Sequence, residues 1–182
     1  DDTGSNAGTS GGEPMTIKIG TVNYEGSVQV RALEVFKDTI EKASNGRITV
    51  EIYAGSVLGN NEVMLDMLYN NDIQIDIVNP VAFETQVPEM SLLNNYYTFD
   101  SLDHVHNFFE GEGGDFIFDA YNSIGLQGLC IFSLGFRELY NSAHAVESFA
   151  DLNGLSIRGY STIQIAAWQS VGVDPVSVDW NE

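Results

Sequence analysis

Apolar and polar residues alternate from Met15 to Val22, which predicts a strand closed by the turn-like run Asn23-Tyr24-Glu25-Gly26. The period then changes. Val28, Ala32, Val35, Phe36, Thr39, Ile40 and Ala43 recur at three- and four-residue spacing, an amphipathic helix that Ser27 can cap and Asn45-Gly46 stops. Arg47–Tyr53 alternates as a second strand, Glu62–Tyr69 reads as a short helix with Val63, Met64, Met67 and Leu68 inward, and Ile73–Val78 as a third strand ending at Asn79-Pro80. Strand–helix–strand–helix–strand predicts a parallel α/β sheet, with the loops that follow the strands gathered along one edge.

The middle is less regular. Val81–Gln86 reads as a helical turn and Pro88–Asp100 as an irregular segment anchored by Tyr96, Tyr97 and Phe99. Helices are expected from Ser101 to Phe109 and from Gly114 to Ile124, with Gly111, Gly113 and Gly114 as a linker between them. A second series follows: strands at Leu126–Phe132 and Phe136–Asn141, a helical turn at Glu147–Leu152, a strand at Leu155–Gly159, a helix at Thr162–Val171 and a strand at Pro175–Val178. Asn181-Glu182 resembles a helix start, so the chain is expected to be incomplete in its second half.

Composition narrows the function classes. At 43% hydrophobic, the 182 residues suffice for a substantial core, and the apolar segments 72–83 and 124–136 are too short and interrupted to span a membrane. A net charge of −19 excludes nucleic acid and anionic membrane surfaces, which need Lys and Arg clusters, and favours a soluble monomer. Residues 1–14 are rich in Gly, Ser, Thr and Asp without apolar periodicity, a flexible tether suited to an exported, surface-held domain. The single cysteine, Cys130, lies in an apolar run and is expected to be a buried structural thiol.

Charge is distributed unevenly. From Ile48 to Glu182 only Arg137 and Arg158 are basic, against nineteen Asp and Glu, and both lie in apolar segments. A guanidinium stays charged, its pKa lying above about 12, so an arginine in a buried strand needs an anion. That anion is either a local acid such as Glu138, Asp151 or Asp179, or the carboxylate of a ligand. Catalytic and metal motifs do not form: residues 55–59 lack a P-loop lysine, and no nucleophile elbow or His-Glu-x-x-His occurs. His104 and His106 are two apart on an expected helix and poorly placed for one ion. No metal or cofactor is therefore expected. Asn23, Tyr24, Asn79 and Phe83 from the early loops, with Arg137, Arg158, Tyr160 and Trp180 from the later half, are the residue types that orient a small polyhydroxylated or carboxylated ligand.

Several ordered segments resemble the solute receptors of tripartite ATP-independent periplasmic (TRAP) transporters of the DctP type. They are Gly20–Asn23 with Val30–Phe36, Ser44–Tyr53, Leu58-Gly59 with Glu62, and Val87-Pro88-Glu89. The most specific are Gly135-x-Arg137-x-x-x-Asn141, Asp151-Leu-x-Gly-Leu-x-Ile-Arg158, and Pro175-Val with Trp180-x-Glu182. Gly159-Tyr160 and Asn94-Asn95 depart from the usual Val-Pro and Leu-Pro. The resemblance implies a two-lobed α/β periplasmic-binding-protein (Venus flytrap) architecture closing over a ligand cleft. Residues 15–133 would form the first lobe and 134–182 the start of a second, incomplete one. It also implies a bidentate salt bridge from Arg158 to a ligand carboxylate, with Arg137 as a second cleft arginine, Asn23 and Asn79 on cleft loops, and Trp180 packed on the ligand.

The expected function is a non-enzymatic extracytoplasmic receptor, in the periplasm or lipid-anchored outside the cytoplasmic membrane. It would bind a sugar acid or dicarboxylate and deliver it to a TRAP membrane permease. A binding protein of an ABC-type system is the alternative; an α/β hydrolase or metal-dependent enzyme is a third reading that lacks a motif here.

Overall fold

The computed structural model describes residues 12–159 and 161–178, and the chain divides into two compact units on either side of Val78–Asn79. The tether expected over 1–14 therefore lies outside the described residues except at 12–14, which are exposed, and so does the helix start expected at 181–182.

The first unit is a parallel three-stranded sheet of order β2-β1-β3, formed by β1 (Met15–Thr21), β2 (Ile48–Tyr53) and β3 (Ile75–Ile77). Met15 pairs with Ile48 and runs in register to Gly20 with Tyr53; on the other edge Ile19–Thr21 pair with Ile75–Ile77. The crossovers are α1 (Val28–Ala43) and α2 (Asn61–Tyr69). Each begins with an N-cap: Ser27 Oγ accepts from Val30 N, and Asn60 Oδ1 from Val63 N. Helix α1 covers the face that carries Ile17, Ile19, Val50, Ile52, Ile75 and Ile77, presenting Leu33, Phe36 and Ile40.

That stripe differs from the expected one. Phe36 and Ile40 face the sheet as expected, but Val28 and Val35 are exposed, while Gln29, Val30 and Leu33 are buried. In α2 Leu65 is buried and Val63 exposed, the reverse of the expectation, because Val63 turns back over Gly59 instead. A second link ties α1 to β2: Glu41 Oε1 accepts from Lys37 Nζ at 2.7 Å and from Val50 N at 2.9 Å, and Lys37 Nζ also donates to Val50 O.

The second unit opens with 3-10 turns at Pro80–Phe83 and Pro88–Asn94, followed by α3 (Leu102–Phe109) and α4 (Glu112–Ser123). Phe83, Val87, Met90 and Ile117 are buried here, with the Phe83 ring edge-on to Tyr121 at 4.9 Å. Phe99 stacks against Phe108 and Phe109. The glycines expected as a linker are part of α4 and its cap. Gly111 is the N-cap, a Cβ at Gly113 would overlap the Phe108 ring, and one at Gly114 would overlap the Phe109 carbonyl oxygen. They are small so that α4 can start against the end of α3.

Next comes a βαβ unit: β4 (Ser156–Arg158), α5 (Thr162–Ser170) and β5 (Asp174–Val176), with β4 and β5 parallel. Its core is Leu152, Leu155 and Val173, with Ile157, Trp168 and Val171 packed around them. A 3-10 turn at Phe149–Leu152 leads in, closed by a capping box between Ser148 and Asp151.

Residues 126–141 are the largest departure. Neither expected strand forms; the run has no regular secondary structure, passes through a left-handed φ of 83° at Gly135, and residues 129–145 are all exposed. An extended segment becomes a strand only when a neighbour takes its backbone groups, and no sheet among the described residues includes these. Cys130, expected to be buried, is accordingly exposed. Among the described residues no helix is long and apolar enough to cross a membrane.

Gly→Ala in an exposed helix interior normally gains about 1 kcal/mol. At Gly114 the expected sign is reversed: Gly114→Ala should lose about 1–3 kcal/mol, because the added methyl meets backbone that cannot move aside. Urea denaturation followed by circular dichroism measures it, and a gain in midpoint would contradict the close α3–α4 junction.

Candidate functional site

Parallel strands end on loops, and the expected ligand-binding residues lie on them. In the first unit Thr21, the last residue of β1, is fully buried. Its hydroxyl donates to Ile77 O at 3.4 Å and accepts from Asn23 N at 3.2 Å and Asn23 Nδ2 at 2.8 Å. One hydroxyl therefore ties the ends of β1 and β3 together and fixes the Asn23 side chain. Asn23 O accepts from Gly55 N at 2.8 Å, joining the loop after β1 to the loop after β2. Asn23 is half-buried and Tyr24 is 65% exposed.

In the second unit Asn79 opens the 3-10 turn, its carbonyl accepting from Ala82 N at 3.0 Å. Phe83 is 2% exposed and packs on Tyr121, so its ring belongs to the core of its own unit. Arg158 ends β4, level with Val176 of β5, and is half-buried. Its Nε donates to Val178 O at 2.7 Å, a charge-assisted bond that sets the plane of the guanidinium. The turn beyond it is tight: a Cβ at Gly159 would lie 3.1 Å from Ile165 Cγ1. Buried Ser161 then caps α5 by accepting from Gln164 N. Arg137 is not in a buried strand as expected; it lies in the exposed 129–145 run. Tyr160 and Trp180 lie outside the described residues. A shallow groove walled by residues 138–146 contains none of the expected ligand-binding residues.

Thr21, which positions Asn23, escapes sequence reading because a threonine at a strand end looks like any other. Two carboxyls were also missed. Asp76, in β3 beside Gly20, has both oxygens buried without a well-formed hydrogen bond. Burial pushes it from 3.8 up to about 7, while the nearby Ile77 N–H works weakly in the opposite direction. In sequence it looks like the exposed half of an alternation, Gln74 and Asp76 between isoleucines. In the fold, the same face at Gly20 is covered by Met64 Sδ and Ile73 Cδ1. Glu84 also has one oxygen buried without a partner, and burial raises its pKa. Asp151 shows the opposite case. Ser148 Oγ, then the N–H groups of Glu147 and Ser148, hold its carboxylate below the usual range.

The model of one family, the bacterial extracellular solute-binding proteins of family 7, matches residues 19–182. The 2,3-diketo-L-gulonate-binding periplasmic protein of Escherichia coli is 27% identical over 175 residues, 96% of this chain and 53% of that protein. A TRAP periplasmic solute-binding protein of a Bradyrhizobium species, solved with α/β-D-galacturonate, is 27% identical, covers 92% of this chain and 56% of that one, and has a TM-score of 0.83. A TRAP periplasmic solute-binding protein of Sulfurospirillum deleyianum, solved with succinate, shares the fold at a TM-score of 0.87 and 23% identity, over 93% of this chain and 55% of its own. The chain thus spans about half the length of the relatives it matches.

Asp76 yields a pH prediction. Its folded pKa lies above its unfolded value, so the folded state holds a proton that the unfolded state releases, and stability falls as pH rises from about 4 to about 7. The rise from 3.8 to about 7 corresponds to about 4 kcal/mol as an upper bound. Asp76→Asn should match the parent at pH 4 and exceed it at pH 8, by urea denaturation at each pH. Equal stabilities at pH 8 would mean that the carboxyl is solvated.

Proposed function

The chain belongs to the bacterial extracellular solute-binding proteins of family 7, and from that membership we propose that it is the ligand-recognising part of a TRAP-type receptor for a small organic acid. The acid is a sugar acid or a dicarboxylate, held through a bidentate salt bridge from Arg158. The receptor works outside the cytoplasm as a monomer, binds without turnover, and passes its ligand to a TRAP membrane permease. Relatives supply the ligand class: 2,3-diketo-L-gulonate in the name of one, galacturonate and succinate in the structures of two others.

The observation that carries this reading is the setting of Arg158. It is one of two basic residues between Ile48 and Glu182, stands half-buried at the C-terminal end of a parallel strand, and is anchored through Nε to Val178 O. A guanidinium whose plane is set in that way loses little further freedom in pairing with a carboxylate. Asn23, Tyr24 and Asn79 belong to the same reading as polar ligand contacts, with Tyr160 and Trp180 as aromatic ones. Phe83 contributes from beneath, by packing its turn. Arg137 is the second cation of the seat. Binding energy that differs between open and closed forms of the receptor would drive closure.

Calorimetry with galacturonate, glucuronate and succinate tests the assignment. Arg158→Ala should weaken the bound acid by about 2–5 kcal/mol, as expected for truncating one partner of a buried hydrogen-bonded charge pair. Arg158→Lys should recover only part of this, since an ammonium cannot make the bidentate fork. An unchanged Kd in Arg158→Ala would place the carboxylate seat elsewhere.

A further inference from the structure

Strand β2 is an outer strand of the first unit's sheet, which runs in the order β2-β1-β3. Successive residues of a strand turn their backbone N–H and C=O groups to opposite edges. Met15 N donates to Arg47 O, so Arg47, Thr49, Glu51 and Tyr53 turn toward β1, and Ile48, Val50 and Ile52 turn outward. An outward row of this kind is a template on which another extended chain can pair. Two of the three positions are already taken by side chains at the C-terminal end of α1. Val50 N donates to Glu41 Oε1 at 2.9 Å, and Val50 O accepts from Lys37 Nζ. Ile48 N donates to Ser44 Oγ at 3.0 Å, and the same hydroxyl lies 3.4 Å from Ile48 O.

We infer that Lys37, Glu41 and Ser44 stand in for a neighbouring strand and close the outer edge of β2 to strand addition. At Val50 the backbone donor meets a carboxylate and the backbone acceptor meets an ammonium, so both groups that a paired strand would take are held by charge-assisted bonds. Lys37 and Glu41 also pair with each other at 2.7 Å, so the two charges are matched. Lys37 first, then the Val50 N–H, hold the Glu41 carboxylate below its usual range, which keeps it an acceptor at neutral pH. The spacing of 37, 41 and 44 puts all three on one face of the helix end. Leu33, Phe36 and Ile40 pack α1 on the apolar face of the sheet, whereas these three polar side chains bond the backbone of its edge. The third outward position, Ile52, borders a groove that Glu34, Asp38 and Glu51 also line, so carboxylates stand where an incoming strand would continue.

Amide hydrogen exchange followed by NMR, and the binding of a strand peptide, test this. Glu41→Ala should speed exchange of the Val50 amide about tenfold relative to Thr49 and Glu51, whose amides face β1, as expected for one lost hydrogen bond to a charged group. Glu41→Gln, which keeps an acceptor for that N–H, should retain most of the protection. Equal acceleration at all three positions means that the side chains only fasten the helix, and overturns the proposal, as does an unchanged Val50. The probe for the edge is a synthetic peptide of residues 47–53, Arg-Ile-Thr-Val-Glu-Ile-Tyr. It should bind Lys37→Ala/Glu41→Ala at least about tenfold more tightly than the parent, since the freed backbone groups then accept a strand. Alanine is the strongest helix former, so α1 should persist in the double variant, which circular dichroism verifies. No gain in binding on removing the pair overturns closure of the edge. A gain that the fully N-methylated peptide shows equally overturns strand addition, because that peptide has no backbone donors. None of these readings uses a ligand, so they are independent of the organic-acid assignment.

Discussion

Every strand pairing described in this chain is parallel, and a parallel pair cannot be closed by a tight turn. Each pair therefore demands a crossover, and the crossovers are α1 between β1 and β2, α2 between β2 and β3, and α5 between β4 and β5. The rest of the architecture follows from that constraint. Helices must carry apolar stripes to lie on the sheet, which is why Leu33, Phe36 and Ile40 meet Ile19 and Val50. Strand ends must break into loops on one edge, which is where polar side chains can stand without interrupting a ladder. Asn23 follows β1 by two residues, Asn79 follows β3 by two, and Arg158 closes β4.

Three ionisable groups in or beside the strands meet their surroundings in different ways. Asp76 can shed its charge: with both oxygens buried, it keeps a proton to about pH 7 and makes no demand for a counter-ion. Arg158 is a guanidinium, which does not shed its charge, and its Nε donates to the Val178 carbonyl. Asp151 is a third case, a half-buried carboxylate held below its usual range by Ser148 and two backbone N–H groups, and thus used as structure in the turn before β4. An acid that is neutral, an acid locked into a cap and an arginine that must stay charged have different uses. Only the arginine is suited to attract an anion.

What was legible in the sequence follows the range of the interaction that decides it. Helix starts were readable because caps are local: Ser101 accepts from His104 N and Ser161 from Gln164 N, within three residues. The order of strands and helices was readable because alternation and 3.6-residue periodicity are properties of single segments. Which side of α1 faces inward was less so, since Val28 and Gln29 differ by one position and the sheet, not the helix, chooses. The glycines before α4 read as a linker because sequence does not show that Phe108 and Phe109 pack where their side chains would be. In the candidate site, Arg137 and Arg158 stood out because cations are scarce after Ile48. Asp76 did not, because an acid alternating with isoleucines is written the same way whether its face meets water or Met64.

The run from 126 to 141 marks the boundary between these two kinds of information. Its residues have the composition of internal strands, yet no strand forms there. A strand, however, is a relation between segments. Its backbone hydrogen bonds and its buried area both belong to a neighbour, so no amount of local preference creates one alone. The same distinction separates the two arginines. Arg158 is held by contacts inside β4–α5–β5: the ladder to Val176, the bond to Val178 O, and the Gly159 turn packed on Ile165. The backbone that carries Arg137 lies in no sheet among the described residues.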